Sequence, residues 1–312
     1  MSRIFCRLSS LCLFMSILLN FVVLTGLVKA EAGAEVAEEE IVCPETSPDL
    51  PVLARSATYK GLPYAAGEEA RYELKYGALR VLVGYGYLRV DRPINREITV
   101  AVKDGKAVRE KRWHRVYSAE GSTGDWYRRI FQAHDKLQSI ARPWDHGASH
   151  FYISQNEQKP FSKPYLREKW LEFDHVTCEV ETREVNHEKK QSKTEQYGLQ
   201  PNAMDALSAL FHLRTLKYKI GDTQRLLVHT SEKNWWLEAT PLKVEKVTVN
   251  AGTFLADKLE IKSYLGSQLQ QKGNMAIWIA KDHPQRPMVK VEGDVTFGSI
   301  YLELDQFKAG GA

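Results

Sequence analysis

The feature that most narrows the fold is alternation. Through most of the chain after residue 69, apolar and polar residues exchange places at every second position, and only one stretch keeps a helical period. In Arg71-Tyr72-Glu73-Leu74-Lys75-Tyr76 the apolar members fall on one face of an extended chain and the charged members on the other. Such a strand buries one side and wets the other. Residues 80–90 read as a second strand, with Gly84 and Gly86 marking a bend or a close backbone approach. Residues 97–103 and 106–115 flank Asp104-Gly105, which predicts a tight hairpin because both turn residues need positive φ.

Further strands are expected over 126–133, 150–154, 169–174, 177–185, 225–231, 235–240, 242–249, 257–263, 274–280, 288–292 and 294–304, with a charged turn at 186–193. The single helix is expected near 202–214. Asn202 is placed to accept first-turn amides, Met204, Leu207, Leu210 and Phe211 share a face, and His212 and Arg214 suit the negative end of the dipole. About a dozen strands, short turns and one helix predict a mainly β protein: a large antiparallel curled sheet, forming an open or closed barrel.

The N-terminus carries an export signature. Arg3 and Arg7 precede a mostly apolar run over 11–27, and Val28-Lys29-Ala30 offers small residues at a cleavage site. The run is also close to membrane-spanning length, so an uncleaved N-terminal anchor is the alternative. The expected organisation is a signal peptide over 1–30, an acidic disordered leader over 31–56 and one β domain over 57–308. The chain has 43 basic and 39 acidic residues. Three basic residues leave with the signal, and residues 31–54 hold seven acidic and no basic ones. Residues 55–312 then carry 40 basic against 32 acidic residues, a net of +8. A basic exported domain favours anionic partners such as lipid headgroups or acidic glycans, and export argues against nucleic acid. Of four cysteines, Cys43 and Cys178 survive cleavage, and an oxidising compartment makes their pairing plausible.

Several landmarks occur in a characteristic order. They run from Gly67-Glu68 and Tyr72-Glu73-Leu74-Lys75-Tyr76-Gly77 to the helix Asp205-Ala206-Leu207-Ser208-Ala209-Leu210-Phe211-His212-Leu213-Arg214 and Ile220-Gly221-Asp222. Val249-Asn250-Ala251-Gly252-Thr253-Phe254, Ala276-Ile277-Trp278-Ile279-Ala280-Lys281-Asp282, Arg286-Pro287 and Gly298-Ser299-Ile300 follow. The ordered set spans about 60–305 and resembles the exported bacterial domain-of-unknown-function family 3108. The resemblance implies a periplasmic or envelope protein whose antiparallel fold is similar to the half-barrels of lipoprotein carriers. That family has no agreed activity and brings no catalytic residues. The landmarks themselves have structural readings, among them a turn at Gly221-Asp222 and an Arg214–Asp222 pair.

No constellation for catalysis stands out, and the chain leans away from being an enzyme. Asp145, His146 and His150 are the most metal-like group, but Gly147 and Pro143 disfavour the helix that a His pair would need. No nucleophile elbow and no phosphate loop is present. Catalytic, cofactor and metal residues are therefore assigned to none. A binding module fits better, because curled sheets hold lipids on a concave face. Tyr72, Tyr76, Trp113 and Trp278 are candidate ligand-facing residues, with Arg115 and Arg128 at the rim. The expected function is a non-enzymatic module binding a lipid, lipoprotein or glycan of the cell envelope. A structural or adaptor protein is the alternative, and a hydrolase of envelope polymers stands behind both.

Overall fold

The computed structural model describes residues 41, 43, 50–129, 131–158, 164–270, 273–295 and 298–311. The expected signal peptide and most of the leader lie outside the described residues. Of the described residues, 64% are in strands. In order it forms β1 (Glu69–Tyr76), β2 (Val81–Lys103), β3 (Lys106–Thr123), β4 (Gln132–Ala141), β5 (Ala148–Gln158), β6 (Tyr165–Asp174), β7 (Glu179–Asn186) and β8 (Gln191–Gly198). Helix α1 (Ala206–Leu213) follows, then β9 (Gln224–Thr230), β10 (Lys233–Val249), β11 (Gly252–Leu265), β12 (Gln268–Leu269), β13 (Met275–Ala280), β14 (Met288–Val295) and β15 (Gly298–Lys308).

All strands join one antiparallel sheet in the order β8-β7-β6-β5-β4-β3-β2-β1-β15-β14-β13-β11-β10-β9, with β12 beside β11. The two ends, β8 and β9, do not pair, so the curled sheet is open. Instead the edges overlap. Phe173 of β6 shares the concave face with Leu171, yet its ring meets His229 of β9 edge-on at 5.8 Å. His229 lies on the side of β9 opposite Val228, which pairs with the buried Trp235. Lys169 of β6 reaches Glu232 in the β9–β10 turn (3.3 Å). Asn234 of β10 donates to the Gly198 carbonyl (3.1 Å) and accepts the Gln200 amide (3.1 Å). The concave face of β6–β8 therefore covers the outer face of the β9–β10 hairpin, which satisfies side chains that a gap would expose.

Two residues from the middle of the leader strap this overlap. Ile41 lies against Gln200, Leu227, Asn234, Trp236 and Leu265, and a Cβ at Gly198 would collide with its side chain. Cys43 forms a disulfide with Cys178 in the β6–β7 turn.

Helix α1 closes the concave side. Seven of its eight residues are buried and only His212 is partly exposed, so it is covered on every side rather than along one stripe. Its cap is Asp205, not Asn202. The Asp205 carboxylate accepts the Leu207 and Ser208 amides, Ser208 Oγ accepts the Asp205 amide, and Ser139 of β4 donates to the same carboxylate (2.5 Å). Asn202 instead takes positive φ and accepts from Arg142 (2.9 Å). Phe211 stacks on Tyr117 of β3 at 4.2 Å, and Tyr64 meets both rings edge-on. Arg214, just past the helix, does not pair with Asp222. Its guanidinium is forked onto Glu68 (2.7 and 3.0 Å) and donates to the carbonyls of Gln285 (2.7 Å) and Arg286 (3.1 Å). Glu68 is the residue immediately before β1, so this pair ties helix, first strand and the β13–β14 loop together.

Several boundaries differ from expectation for physical reasons. Asp104 and Gly105 both take positive φ, as the hairpin needs, but the segments around them run on into β2 and β3. Bulges at 91/94 and 241/243 let single strands bend where two were expected. Residues 126–133 are not a strand throughout, because Tyr127–Arg129 is a 3-10 turn before β4. The charged turn is shorter than expected, and β8 follows it. Asp294 belongs to β14 rather than β15.

Two stability outcomes follow. The Arg214–Glu68 pair is buried, so Glu68→Gln alone should destabilise the fold by about 3–5 kcal/mol. The double variant Glu68→Met/Arg214→Met should recover much of that loss in a urea-denaturation cycle, whereas additive losses would contradict the pairing. Reduction of the Cys43–Cys178 bridge opens a loop with a sequence separation of 135 residues. In the chain-entropy model that loop is worth up to about 5 kcal/mol. Thermal melting with and without reductant should show a clear drop, and the Cys43→Ser/Cys178→Ser double variant should show none beyond it.

Candidate functional site

The concave side of the sheet is the natural place for a ligand, so its contents decide what the fold can do. At the level of α1 it is occupied by the protein itself. Leu207, Leu210, Phe211 and Leu213 are each at most 2% exposed and belong to the same buried core as Leu226, Val228, Leu237, Leu259, Ile277 and Leu304. The void beside Arg214, bordered by Tyr72, Leu210, Phe211 and Met288, measures about 10 Å³. That is room for a single water, not for an acyl chain.

Polar side chains complete this interior in two places. The first is the end nearest the 142–147 turn. Arg115 is buried and donates to the carbonyls of Thr58 (2.8 Å) and Pro143 (2.5 Å). Its remaining nitrogen faces the His146 ring, which lies 4.5 Å from the His212 ring. Burial, reinforced by Arg115, holds His146 down at about 2 and His212 at about 4, so both rings are neutral acceptors or neutral packing groups at pH 7. Arg142 forks onto Asp145 and holds Asn202, fixing the turn against the chain that leads into α1.

The second place is on β4 and β5. Asp135 and Glu157 face inward from adjacent strands, and both are buried. Burial, with the nearby Glu157 charge, raises the Asp135 carboxyl to about 7, while the Asn156 amide donates to it (3.0 Å). This is the inward carboxylate pair nearest to what glycoside chemistry uses, but it is enclosed rather than set in a groove.

The residues expected to face a ligand are scattered. Tyr72 is fully buried, and its hydroxyl donates to the Met288 carbonyl (2.8 Å). Arg115 is an interior group, not a rim cation. Trp278 lies on the convex face, clamped between the Lys258 and Lys290 ammonium groups at 4.7 and 4.4 Å, and donates to Glu245 (2.8 Å). These three are covered by their own neighbours. Tyr76 is half-buried beside Gly298. Trp113 is half-buried under the Arg55 guanidinium (5.4 Å). Arg128 is exposed in the 3-10 turn and pairs with Asp125 (3.3 Å). His146 and His150 of the metal-like group point to different partners, Arg115 and Glu172. Among the described residues, no three His, Cys, Asp or Glu side chains gather as a metal site.

The model of the family described as "Protein of unknown function (DUF3108)" matches residues 71–305. The chain belongs to the DUF3108 family. Among solved structures, a β-barrel-like DUF1849 protein from Brucella abortus matches with a TM-score of 0.50 at 6% identity, over 80% of this chain and 99% of that one. That likeness establishes the fold alone. A candidate exported protein with a YmcC-like fold from Bacteroides fragilis (TM-score 0.30, 12% identity, 79% and 98% covered) is also similar. So is a candidate lipoprotein from Parabacteroides distasonis (TM-score 0.29, 12% identity, 79% and 97% covered). No curated protein matches the sequence.

In this DUF3108 chain many cations of the convex face are held by neighbouring carboxylates. Lys75 pairs with Glu73 and Glu303, Arg71 with Asp305, Arg89 with Glu69 and Glu120, Lys290 with Glu292, and Lys262 with Glu260. Rings of Tyr85, Tyr87 and Tyr301 lie under neighbouring guanidinium groups. The distal β2–β3 hairpin is different. Beyond Asp91 and Arg115 these strands pair only with each other, so residues 92–114 form a two-stranded arm. Spacing in the sequence revealed the hairpin but not that its outer part pairs with no third strand.

Buried histidines give this DUF3108 fold a pH dependence of definite sign. Burial lowers His114, His212 and His229 to about 4, His146 to about 2, and His175 well below its ordinary value. In the unfolded chain each ring takes a proton below about pH 6.5. The native ring stays neutral, so stability falls as pH drops from 6.5 toward 4, by up to about 1.4 kcal/mol per unit for each histidine. Asp135, raised to about 7, acts in the opposite direction and offsets one of the five. Denaturant midpoints should fall steadily over that window, and His229→Gln should flatten the slope. A flat profile in the wild type would contradict these environments.

Proposed function

We propose that this protein is an exported, non-enzymatic component of the cell envelope that works through its outer surface, as a structural or adaptor protein, and does not carry a lipid inside its sheet. One observation carries the reading. The space a carrier would keep open is filled by α1, which is buried on all sides and pinned by the Arg214–Glu68 pair. An acyl chain would have to displace that helix and strand a buried charge, which is unfavourable by several kcal/mol. Export is supported by the N-terminal three-part signal and by the Cys43–Cys178 bridge, a bond that persists in oxidising compartments. The enclosed Asp135–Glu157 pair gives a hydrolase no accessible cleft for a polymer.

The test has two arms. Native mass spectrometry of the protein purified from its own envelope should give the bare polypeptide mass. Photo-crosslinking in cells, with the reactive group at positions scattered over the outer surface, should trap a partner from a restricted set of positions. A lipid or glycan retained in one-to-one ratio would overturn the reading and restore a carrier. Crosslinks from no position, or equally from all, would also count against it.

A further inference from the structure

We infer that the 92–114 arm is a membrane-docking hairpin that seats the protein on an anionic phospholipid surface. The inference rests on the outward-working reading above and names the partner of one part of that surface. The arm carries seven basic residues, Arg92, Arg96, Lys103, Lys106, Arg109, Lys111 and Arg112, against Glu97, Asp104 and Glu110, a net of +4. On the neighbouring strands Arg71, Lys75 and Arg89 are held by carboxylates. Here Arg92, Lys103, Lys106, Arg109 and Lys111 have no carboxylate within 4.0 Å among the described residues.

The two faces of the ribbon are unequal. Side chains alternate, so Arg96, Arg112 and His114 share one face and Arg109, Lys111 and Trp113 the other. The first face is turned to the barrel. Arg96 reaches Glu172 of β6 (2.5 Å), and His114 is fully buried with its ring near Trp144. These contacts fix the arm's orientation and leave Arg109 and Lys111 outward, with Lys103 and Lys106 at the tip. On that outward face, next to the tip, Val102 is 47% exposed.

The form of the surface selects the occupant. A two-stranded ribbon offers no concavity in which a peptide could be gripped, and its cations are spread along its length. Such an array suits a plane of many anions with an apolar layer beneath, where each Lys or Arg near the surface adds attraction and Val102 at the tip can enter the interface. The N-terminal apolar segment brings the chain to a membrane during export in any case.

The experiment uses the disulfide-bonded chain from residue 31 onward, which keeps every described residue. It is mixed with vesicles of phosphatidylcholine alone or with added phosphatidylglycerol, and the bound fraction is measured by sedimentation. Binding to the anionic vesicles only, weakened by salt, is expected. Lys103→Glu/Lys106→Glu/Arg109→Glu should lower the partition at least about tenfold with an unchanged melting temperature, since these side chains make no ion pairs. Val102→Asp should weaken it by a smaller factor. Equal binding to neutral vesicles, no binding to anionic ones, or full binding by the triple variant would overturn the inference. A protein crosslinked from Lys111 in cells, with no vesicle binding, would overturn it too while leaving the outward-working reading intact. A one-to-one ligand in native mass spectrometry would remove that reading without bearing on the arm.

Discussion

A guanidinium taken out of water must be given back nearly all of its hydrogen bonds, and Arg214 receives them from three distant parts of the chain. Glu68 supplies the counter-charge, Gln285 and Arg286 supply carbonyls, and the rings of Tyr64 and Phe211 lie against its faces at 5.1 and 5.2 Å. The partners come from the entry to β1, the end of α1 and the loop between β13 and β14. None can shift without leaving a charge unpaired in a low-dielectric interior, where a lone ion is strongly disfavoured. The pair thus fixes where the helix sits, and the helix fixes how tightly the sheet can curl. Hydrophobic packing alone would tolerate several helix positions. The ion pair and the Asp205–Ser139 contact at the other end of α1 select one.

Curling a long sheet around a plug leaves the problem of its two edges. Closing the ladder would demand that β8 and β9 match in register and tilt. The chain overlaps them instead, and this substitutes side-chain bonds for ladder bonds. Asn234 satisfies both the carbonyl of Gly198 and the amide of Gln200, and Met204 makes an isolated parallel bridge to Val228. The leader then serves a purpose its composition hides. Ile41 packs over the overlap, and the disulfide two residues later holds it there.

Legibility in the sequence followed range. Alternation is set by neighbours, so β1, the Asp104-Gly105 hairpin and the strands after residue 224 were readable from their residues. Strand β8 was not, because Gln191-Ser192-Lys193-Thr194-Glu195-Gln196-Tyr197 at a sheet edge has polar groups on both faces and no burial to impose a pattern. Long strands were read as broken ones where Pro93 and Pro241 fall at bulges. The helix was placed within a few residues, but its cap moved from Asn202 to Asp205 because Arg142 claims Asn202. The sequence offers Arg214 only Asp222, eight residues away, since a partner 146 residues earlier leaves no local mark. Candidate ligand residues fared worst for the same reason. Aromatic character marks a side chain that wants cover, and Tyr72 and Trp278 obtain it from Met288 and two lysines rather than from a ligand.

The filled interior and the balanced convex face have a joint consequence for recognition. A surface whose charges are already matched gains little from a charged partner, because each new contact replaces an existing one. Unmatched charge therefore concentrates whatever specificity the outer surface has. In this chain five unmatched cations, Arg92, Lys103, Lys106, Arg109 and Lys111, stand together where two strands outrun their neighbours. The same geometric fact, a hairpin longer than the sheet that holds it, leaves five of the arm's seven cations without a neutralising partner. Length of pairing thus sets electrostatics here, and it does so in a segment whose own sequence is already basic, with seven cations against three carboxylates.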